Sequence, residues 1–534
     1  MTARRPAGTR RPQAARRPPA ARRLRANRLL LALLVLVALG ALYGIAGLSR
    51  PASTAAGSLA RSPGSLPVTS ALLGCPAPGS GGLTGGGVAV AAVPAGARGN
   101  GQVTLTPASV PASPVGRPGP RTARPGQLTV LRVGAAPALR ARQAVLPAMA
   151  GGLVPTRVGR GGLIVSATGA AAQGLDVEQL APDGQPAGRC QAPGSDFWFV
   201  SPGAPRLHVE LFLLNADGLP ADVQVGVQTD SGPLLGAADS GITVPPGGLV
   251  VQSLDRLVRS AKAFALNVTT STGRVVAAVR ETTGAAKPGA WLPPAPAPAT
   301  SLTLPGLPSA PGSPELYLTV PGGQAAQIRV TAVTPRGSYQ PTGGNQISVL
   351  GHLTTGIAIP SLGGIPGAIR ITASVPVSAV LVSSGGPPGS PGAFITGSAP
   401  ITGSAPLAGQ GVVAANPVGT AGRTDLVLSA PGRAASVRLT VAAPGQPLPG
   451  TGGQVVRIKA RSATLVRIAV PRGAARPRAS IAAIVVTVLP GSGPVYGARL
   501  ALAGGTVQEI LPVLPSPSVV RLPAVRESLL TVLG

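Results

Sequence analysis

Beyond the first seventy residues, short apolar stretches alternate with turns through most of the chain. Each is rich in Val, Ile, Leu and Thr, alternating or wholly apolar, and bounded by Gly or Pro, which predicts β-strands. The stretches recur in order. One unit runs LHVELFLLN (Leu207–Asn215), DVQVGVQT (Asp222–Thr229), GITVPPGGLVVQSL (Gly241–Leu254) and FALNVTTSTGRVVAAV (Phe264–Val279). The next begins ELYLTV (Glu315–Val320) and ends AIRITASVPVSAVLV (Ala368–Val382); a third begins DLVLSAPG (Asp425–Gly432) and ends SIAAIVVTVLPG (Ser480–Gly491). First strands at Leu207, Leu316 and Leu426 are offset by 109 and 110 residues. GQVTL (Gly101–Leu105) and GLIVSATG (Gly162–Gly169) point to a degenerate earlier copy.

A period of about 100 residues with six or seven strands is the size of an immunoglobulin-like sandwich. A β-propeller is the alternative, but its blades recur at about 40–50 residues. The expected fold is therefore all-β, an N-terminal transmembrane helix followed by tandem Ig-like β-sandwiches. The boundaries are a degenerate β domain at 71–192 and sandwich repeats at 193–300, 301–408 and 409–534.

The transmembrane segment is the one different pattern. Leu29 to Leu48 is a 20-residue uncharged apolar run, about the length a helix needs to cross a bilayer. Ten Arg and no acid precede it in the tail 1–28, so the positive-inside rule holds that tail in the cytoplasm and places 49–534 outside. A cleaved signal peptide competes, yet its apolar region is shorter and no small-x-small site directly follows Leu48. Residues 49–70, rich in Ser, Pro, Gly and Ala, read as a stalk.

Composition adds two constraints. With 75 Gly and 61 Pro but 44% hydrophobic residues, the chain suits many short strands rather than disorder. Two cysteines, Cys75 and Cys190, both lie on the expected oxidising side and are expected to pair. Leu72-Leu73-Gly74-Cys75 also has the form of a lipobox, but the apolar run that should precede it ends at Leu48.

Candidates for chemistry are few, since the chain has 15 acids and two His. His208 and His352 sit in different repeats. Asp176 and Glu178 form a close acid pair of the kind glycoside hydrolysis uses. Asp230-Ser231-Gly232 and Asp239-Ser240-Gly241 carry a protease-like triplet but read as turns. Trp198 and Trp291 lie beside Pro/Gly turns and read as packing anchors. No catalytic, cofactor-binding or metal-binding residue is assigned. The basic excess offers a binding site instead: Arg457, Lys459 and Arg461 alternate with Val456, Ile458 and Ala460, so a strand would place the three cations on one face. Arg467, Arg472, Arg476 and Arg478 follow and could extend the stripe toward a polyanion.

A resemblance adds to this reading. The Arg-rich anchor, Leu73-Gly74-Cys75-Pro76, Cys190 followed by Ser195-Asp196-Phe197-Trp198-Phe199-Val200, the Asn closing Leu211–Asn215 and the pattern at Thr372–Val377 together resemble a family of actinobacterial membrane-anchored proteins. It is the domain of unknown function family 5719. The resemblance implies an envelope location and no activity. The expected function is thus a non-catalytic, membrane-anchored envelope protein that scaffolds or binds a partner, either another envelope protein or an anionic polymer. Nucleic acid is not an expected partner. An extracytoplasmic hydrolase is the alternative.

Overall fold

The computed structural model describes residues 33–41 and most of 65–521; the longer stretches outside it are 76–86, 110–128, 134–144, 397–408, 443–452 and 470–479. Residues 33–41 are helical. Among the described residues no helix is long and apolar enough to cross a membrane; the remainder of the apolar run, 29–32 and 42–48, lies outside them. Residues 65–521 form one compact unit, and its described elements are strands apart from two single helical turns, Ala170–Ala172 and Asp255–Val258.

Four consecutive stretches, here called blocks, each supply two sets of paired strands. In the first block, Ser70–Cys75, Leu163–Gly169 and Gly101–Pro107 lead one sheet, and Pro186–Arg189, Asp176–Leu180 and Gly87–Ala91 lead the other. In the second, Asp196–Pro202, Ala263–Thr272 and Ala221–Thr229 face a sheet of Leu249–Ser253, Leu207–Leu214, Val276–Thr283 and Ala290–Leu292. The fourth pairs Gln410–Val418, Ser480–Val488, Ala435–Ala442 and Gln454–Ile458, and separately Ser462–Arg467, Arg423–Ala430, Tyr496–Ala503 and Thr506–Val513.

The third block joins its two sheets through one 17-residue strand, Gly367–Ser383. Its first half pairs with Ala299–Leu307 and Ala326–Thr334, its second with Glu315–Thr319 and Ala393–Thr396. The change of partner falls around Pro376, which has no N–H to donate to a ladder.

Burial follows the apolar alternation. Ala221–Thr229 alternates between buried and more exposed positions along its whole length. Leu207–Leu214 alternates only at its start and is buried throughout its second half. There Phe212 and Leu214 meet Ala108 of the first block, while Leu211 and Leu213 enter the second block's own core. Fully burying side chains such as Phe199, Phe264 and Leu266 stabilises the body by about 1.5–3 kcal/mol each.

Each block packs on the next. Gly74 sits so close to Leu214 and Val276 that an added Cβ would lie 2.8 Å from both. Trp198 and Val200 share a core cluster with Tyr317 and Val380 of the third block. Leu302 and Leu304 share one with Val427, Leu500 and Leu502 of the fourth. The fourth returns to the first: Val412, Ala414 and Val485 pack on Ala89, Ala91 and Leu180. Ser65–Pro67 also pairs antiparallel with Val519–Arg521.

Two sequence expectations need correction. FALNVTTSTGRVVAAV is two strands, broken by a turn with Gly273 at φ 70°, and its halves enter opposite sheets. The strand expected over Val455–Ala460 stops at Ile458. Residues Ala460 and Arg461 form a turn, with Arg461 at φ 53°, and the chain crosses there from one sheet of the block to the other.

Candidate functional site

Asp176 and Glu178, the acid pair noted in the sequence, lie in the strand that faces the fourth block, and both are buried. Their surroundings are set by an irregularity in Gln410–Val418, whose register shifts between Val413 and Asn416. The shift frees two amides from the ladder. Ala414 N–H donates to Asp176 Oδ2 at 2.8 Å and Ala415 N–H to Glu178 Oε1 at 3.3 Å. Asn416 fixes the irregularity by donating to Val413 O and Ala482 O at 2.7 and 2.8 Å.

Two guanidiniums complete the cluster. Arg189 donates to Asp176 Oδ1 at 2.7 Å and to the carbonyls of Pro512 and Val412 at 2.7 and 2.9 Å. Arg499 bonds Glu509 and the carbonyl of Ala415. It also approaches Glu178 Oε2 at 3.1 Å, off the line a hydrogen bond needs, so this contact is an ion pair alone. Burial pushes the Glu178 carboxyl up to about 7 against the pull of Arg499. Three carboxylates and two guanidiniums from the first and fourth blocks are thus spent on one another and on backbone. A hydrolytic pair needs carboxyls that reach substrate, and here the arrangement is a clasp.

The basic residues fall elsewhere. Ala435–Ala442 and Gln454–Ile458 are paired with Arg438 opposite Val455 and Ser436 opposite Arg457. Val437, Val456 and Ile458 are buried, leaving Arg438, Val455 and Arg457 exposed on the outer face. Lys459 continues the exposed face, its carbonyl accepting a 2.9 Å bond from Ser462 Oγ. Ala460, expected in the core, is exposed in the turn, and Arg461 is exposed beside it. Arg467 does not join them. It lies in the block's other sheet opposite Asp425, which it approaches at 3.9 Å and which Arg423 holds at 3.0 Å. Arg472, Arg476 and Arg478 lie outside the described residues. Arg438 was missed in the sequence, although the alternation SVRLTV already turned it away from the core.

Other singled-out residues have structural partners. Cys75 and Cys190 are bonded, with Cα atoms 4.4 Å apart, within the range a disulfide spans. Gly74 and Gln191 exchange backbone bonds beside them at 2.7 and 2.9 Å. The Gly-Cys pair thus serves packing and cross-linking. Asn215 is buried and ties its loop together through Leu219 O, Val244 O and the Asp217 amide. Trp291 lies against Phe212 with ring centroids 5.2 Å apart. His208 Nδ1 is 2.9 Å from Asp255 Oδ2. His352 sits in a turn of the third block at φ 58°.

The family of unknown function (DUF5719) matches residues 150–469, more than half of the chain. The chain belongs to that family. No curated protein matches it. The match begins after most of the first block and ends within the fourth, so it includes Asp176, Glu178, Cys190 and the basic corner of this DUF5719 member, while Arg499 and Cys75 lie outside it.

Proposed function

We propose that this DUF5719 member is a non-catalytic protein of the cell envelope. Leu29–Leu48 anchors it as a single membrane pass with residues 1–28 in the cytoplasm, and its β body presents a basic face to an anionic partner outside. Support for the anchor is the apolar run and its ten preceding arginines. We read the sheet pairs as tandem Ig-like sandwiches. In the second block the order Asp196–Pro202, Ala263–Thr272, Ala221–Thr229 interleaves with strands of the facing sheet, as Greek-key connections do.

One observation carries the binding role. From Ala299 to Arg521 there are three acids, Glu315, Asp425 and Glu509. Glu315 accepts the Tyr317 hydroxyl at 2.7 Å, Asp425 faces Arg423 and Glu509 faces Arg499. Arg438, Arg457, Lys459 and Arg461 stand exposed with none of these acids beside them. Replacing Arg438, Arg457 and Lys459 with Ser should leave the circular dichroism unchanged. It should also release the full-length protein from anionic envelope polymer at lower salt than the parent needs. Retention equal to the parent at every ionic strength overturns the reading.

The hydrolase alternative has one observation behind it, the His208–Asp255 pair, since a carboxylate on Nδ1 is how a triad orients its base. Loss of a hydrolytic activity in His208→Ala would favour it.

A further inference from the structure

The third and fourth blocks meet at a small apolar contact with cations around it. Val333 and Ala368 are cross-strand partners on the outer face of a third-block sheet, and Ala463 of the fourth block packs on both. Along that face the next pair is Thr331 with Arg370, and the one after is Arg329 with Thr372. Pairs two residues apart are separated by about 7 Å, so Arg370 and Arg329 extend stepwise from the contact, and both are exposed.

From the fourth block, Arg461 stands two residues before Ala463. Its carbonyl accepts a bond from Ser338 Oγ at 2.7 Å, which pins the basic corner to a third-block hairpin. Arg336, exposed at the tip of that hairpin, is two residues from Ser338. Four arginines from two blocks therefore lie along one seam. Arg370 and Arg329 step away from the contact on the third block, and Arg461 and Arg336 lie where Ser338 joins the two blocks. Lys459 and Arg457 lead away from it. The three acids between Ala299 and Arg521 are engaged with Tyr317, Arg423 and Arg499.

We infer that this seam is the track of one extended polyanion, a polymer with a phosphate or carboxylate on successive repeats, lying across both blocks. The inference rests on the anion-binding reading of the basic corner and widens it to Arg329, Arg336 and Arg370. A small anion gains little here, because the cations sit singly on separate elements and exposed contacts of this kind are weak. A polymer multiplies them, each further contact forming at high effective concentration. The shared core between the blocks holds the cations at set spacing, so the protein orders little on binding. A bilayer fits less well: Val333, Ala368 and Ala463 are sealed inside the seam, and Val455, exposed between Arg438 and Arg457, is a single apolar side chain to insert.

Full-length protein in detergent, with the ten arginines of residues 1–28 replaced by Ser in parent and variants alike so that the tail offers no site, is titrated with long-chain inorganic polyphosphate across a salt series. The probes for comparison are tripolyphosphate and vesicles of anionic lipid. The variants are Arg329→Ser with Arg370→Ser, and Arg457→Ser with Lys459→Ser; both pairs are exposed, and circular dichroism confirms the fold. Each pair should weaken long-chain binding roughly tenfold. Each should also lower the salt slope by about 0.7 for each cation removed, while tripolyphosphate binding stays weak throughout. If only the Arg457/Lys459 pair matters, the track is overturned and the corner reading stands. If the parent binds no polyphosphate, or neither pair alters binding, both readings fall. If the Arg329/Arg370 and Arg457/Lys459 pairs each weaken retention on anionic vesicles beyond what the anchor alone gives, and leave long-chain polyphosphate binding unchanged, the seam is a membrane surface and the track is overturned.

Discussion

Arg499 and Glu178 approach to 3.1 Å with both side chains closed to solvent, one from the fourth block and one from the first. The contact is electrostatic in a region otherwise sealed by Val412, Ala414 and Leu180. Removing one partner of such a pair leaves an uncompensated buried charge, whereas removing both can be close to neutral. Above about pH 8, where Glu178 is ionised in the folded chain, Arg499→Met should therefore destabilise the body by about 3–5 kcal/mol. Adding Glu178→Met should restore part of that, Glu509 and the Ala415 carbonyl still lacking their partner. Urea unfolding of the two single variants and the double variant forms a cycle. Simple additivity would show that the pair does not couple the blocks.

A second prediction concerns pH. Burial pushes the Glu281 carboxyl up to about 8, opposed only in part by the nearby Ser201 hydroxyl. Glu178 is likewise raised, to about 7. Each group keeps its proton in the folded chain after losing it in the unfolded one, so the unfolded state binds fewer protons in between. Stability should accordingly be highest near pH 4.5 and fall as pH rises to about 8, then level off. Thermal melts across that window should show the decline. Glu281→Gln should flatten most of its upper part; an unchanged slope would remove Glu281 as its source.

The disulfide makes a third. Cys75 and Cys190 close a loop of 115 residues, for which chain entropy alone implies about 4–5 kcal/mol. Cys190→Ser should lower the urea midpoint accordingly, and thiol reagents should fail to label the denatured, unreduced parent. Labelling at both cysteines would place the bridge outside the protein as isolated.

Much of the fold was legible because burial imposes period-two alternation on strands such as Ala221–Thr229 and Ala326–Thr334. Corners carry no such period. The break at Lys459–Arg461 was easily passed over because RIKAR alternates up to Arg461; the parity flips only at Ser462, and the turn rests on a left-handed arginine with no glycine to mark it. The clasp was hidden for another reason. Asp176 and Glu178 were visible as a pair, but Arg499 is more than 300 residues away in the chain and is brought beside them only by the fourth block returning to the first. Arg438 was legible by parity and simply lay in a strand considered for its core.

The anchor gives a fourth prediction. Deleting Leu29–Leu48 should move the protein from the membrane fraction to the soluble one, and protease added to intact cells should digest the parent beyond Leu48. A mature chain starting between residues 45 and 60 in the medium would show a cleaved leader instead.

The pairing of Ser65–Pro67 with Val519–Arg521 has a mechanical consequence. Ser65 stands opposite Arg521, so the chain enters and leaves the body at the same end of one short antiparallel ladder. Tension between the segment before Ser65 and the segment after Arg521 therefore opens that ladder rung by rung, like a zipper, and a two-stranded ribbon of this length resists little. Tension between the segment before Ser65 and a partner seated on the basic corner takes a different path. It leaves the segment after Arg521 unloaded and runs through Ser65–Pro67 into Ser70–Cys75, the strand that the Cys75–Cys190 bridge ties to the body. The direction of pull decides whether the body yields at its edge or holds.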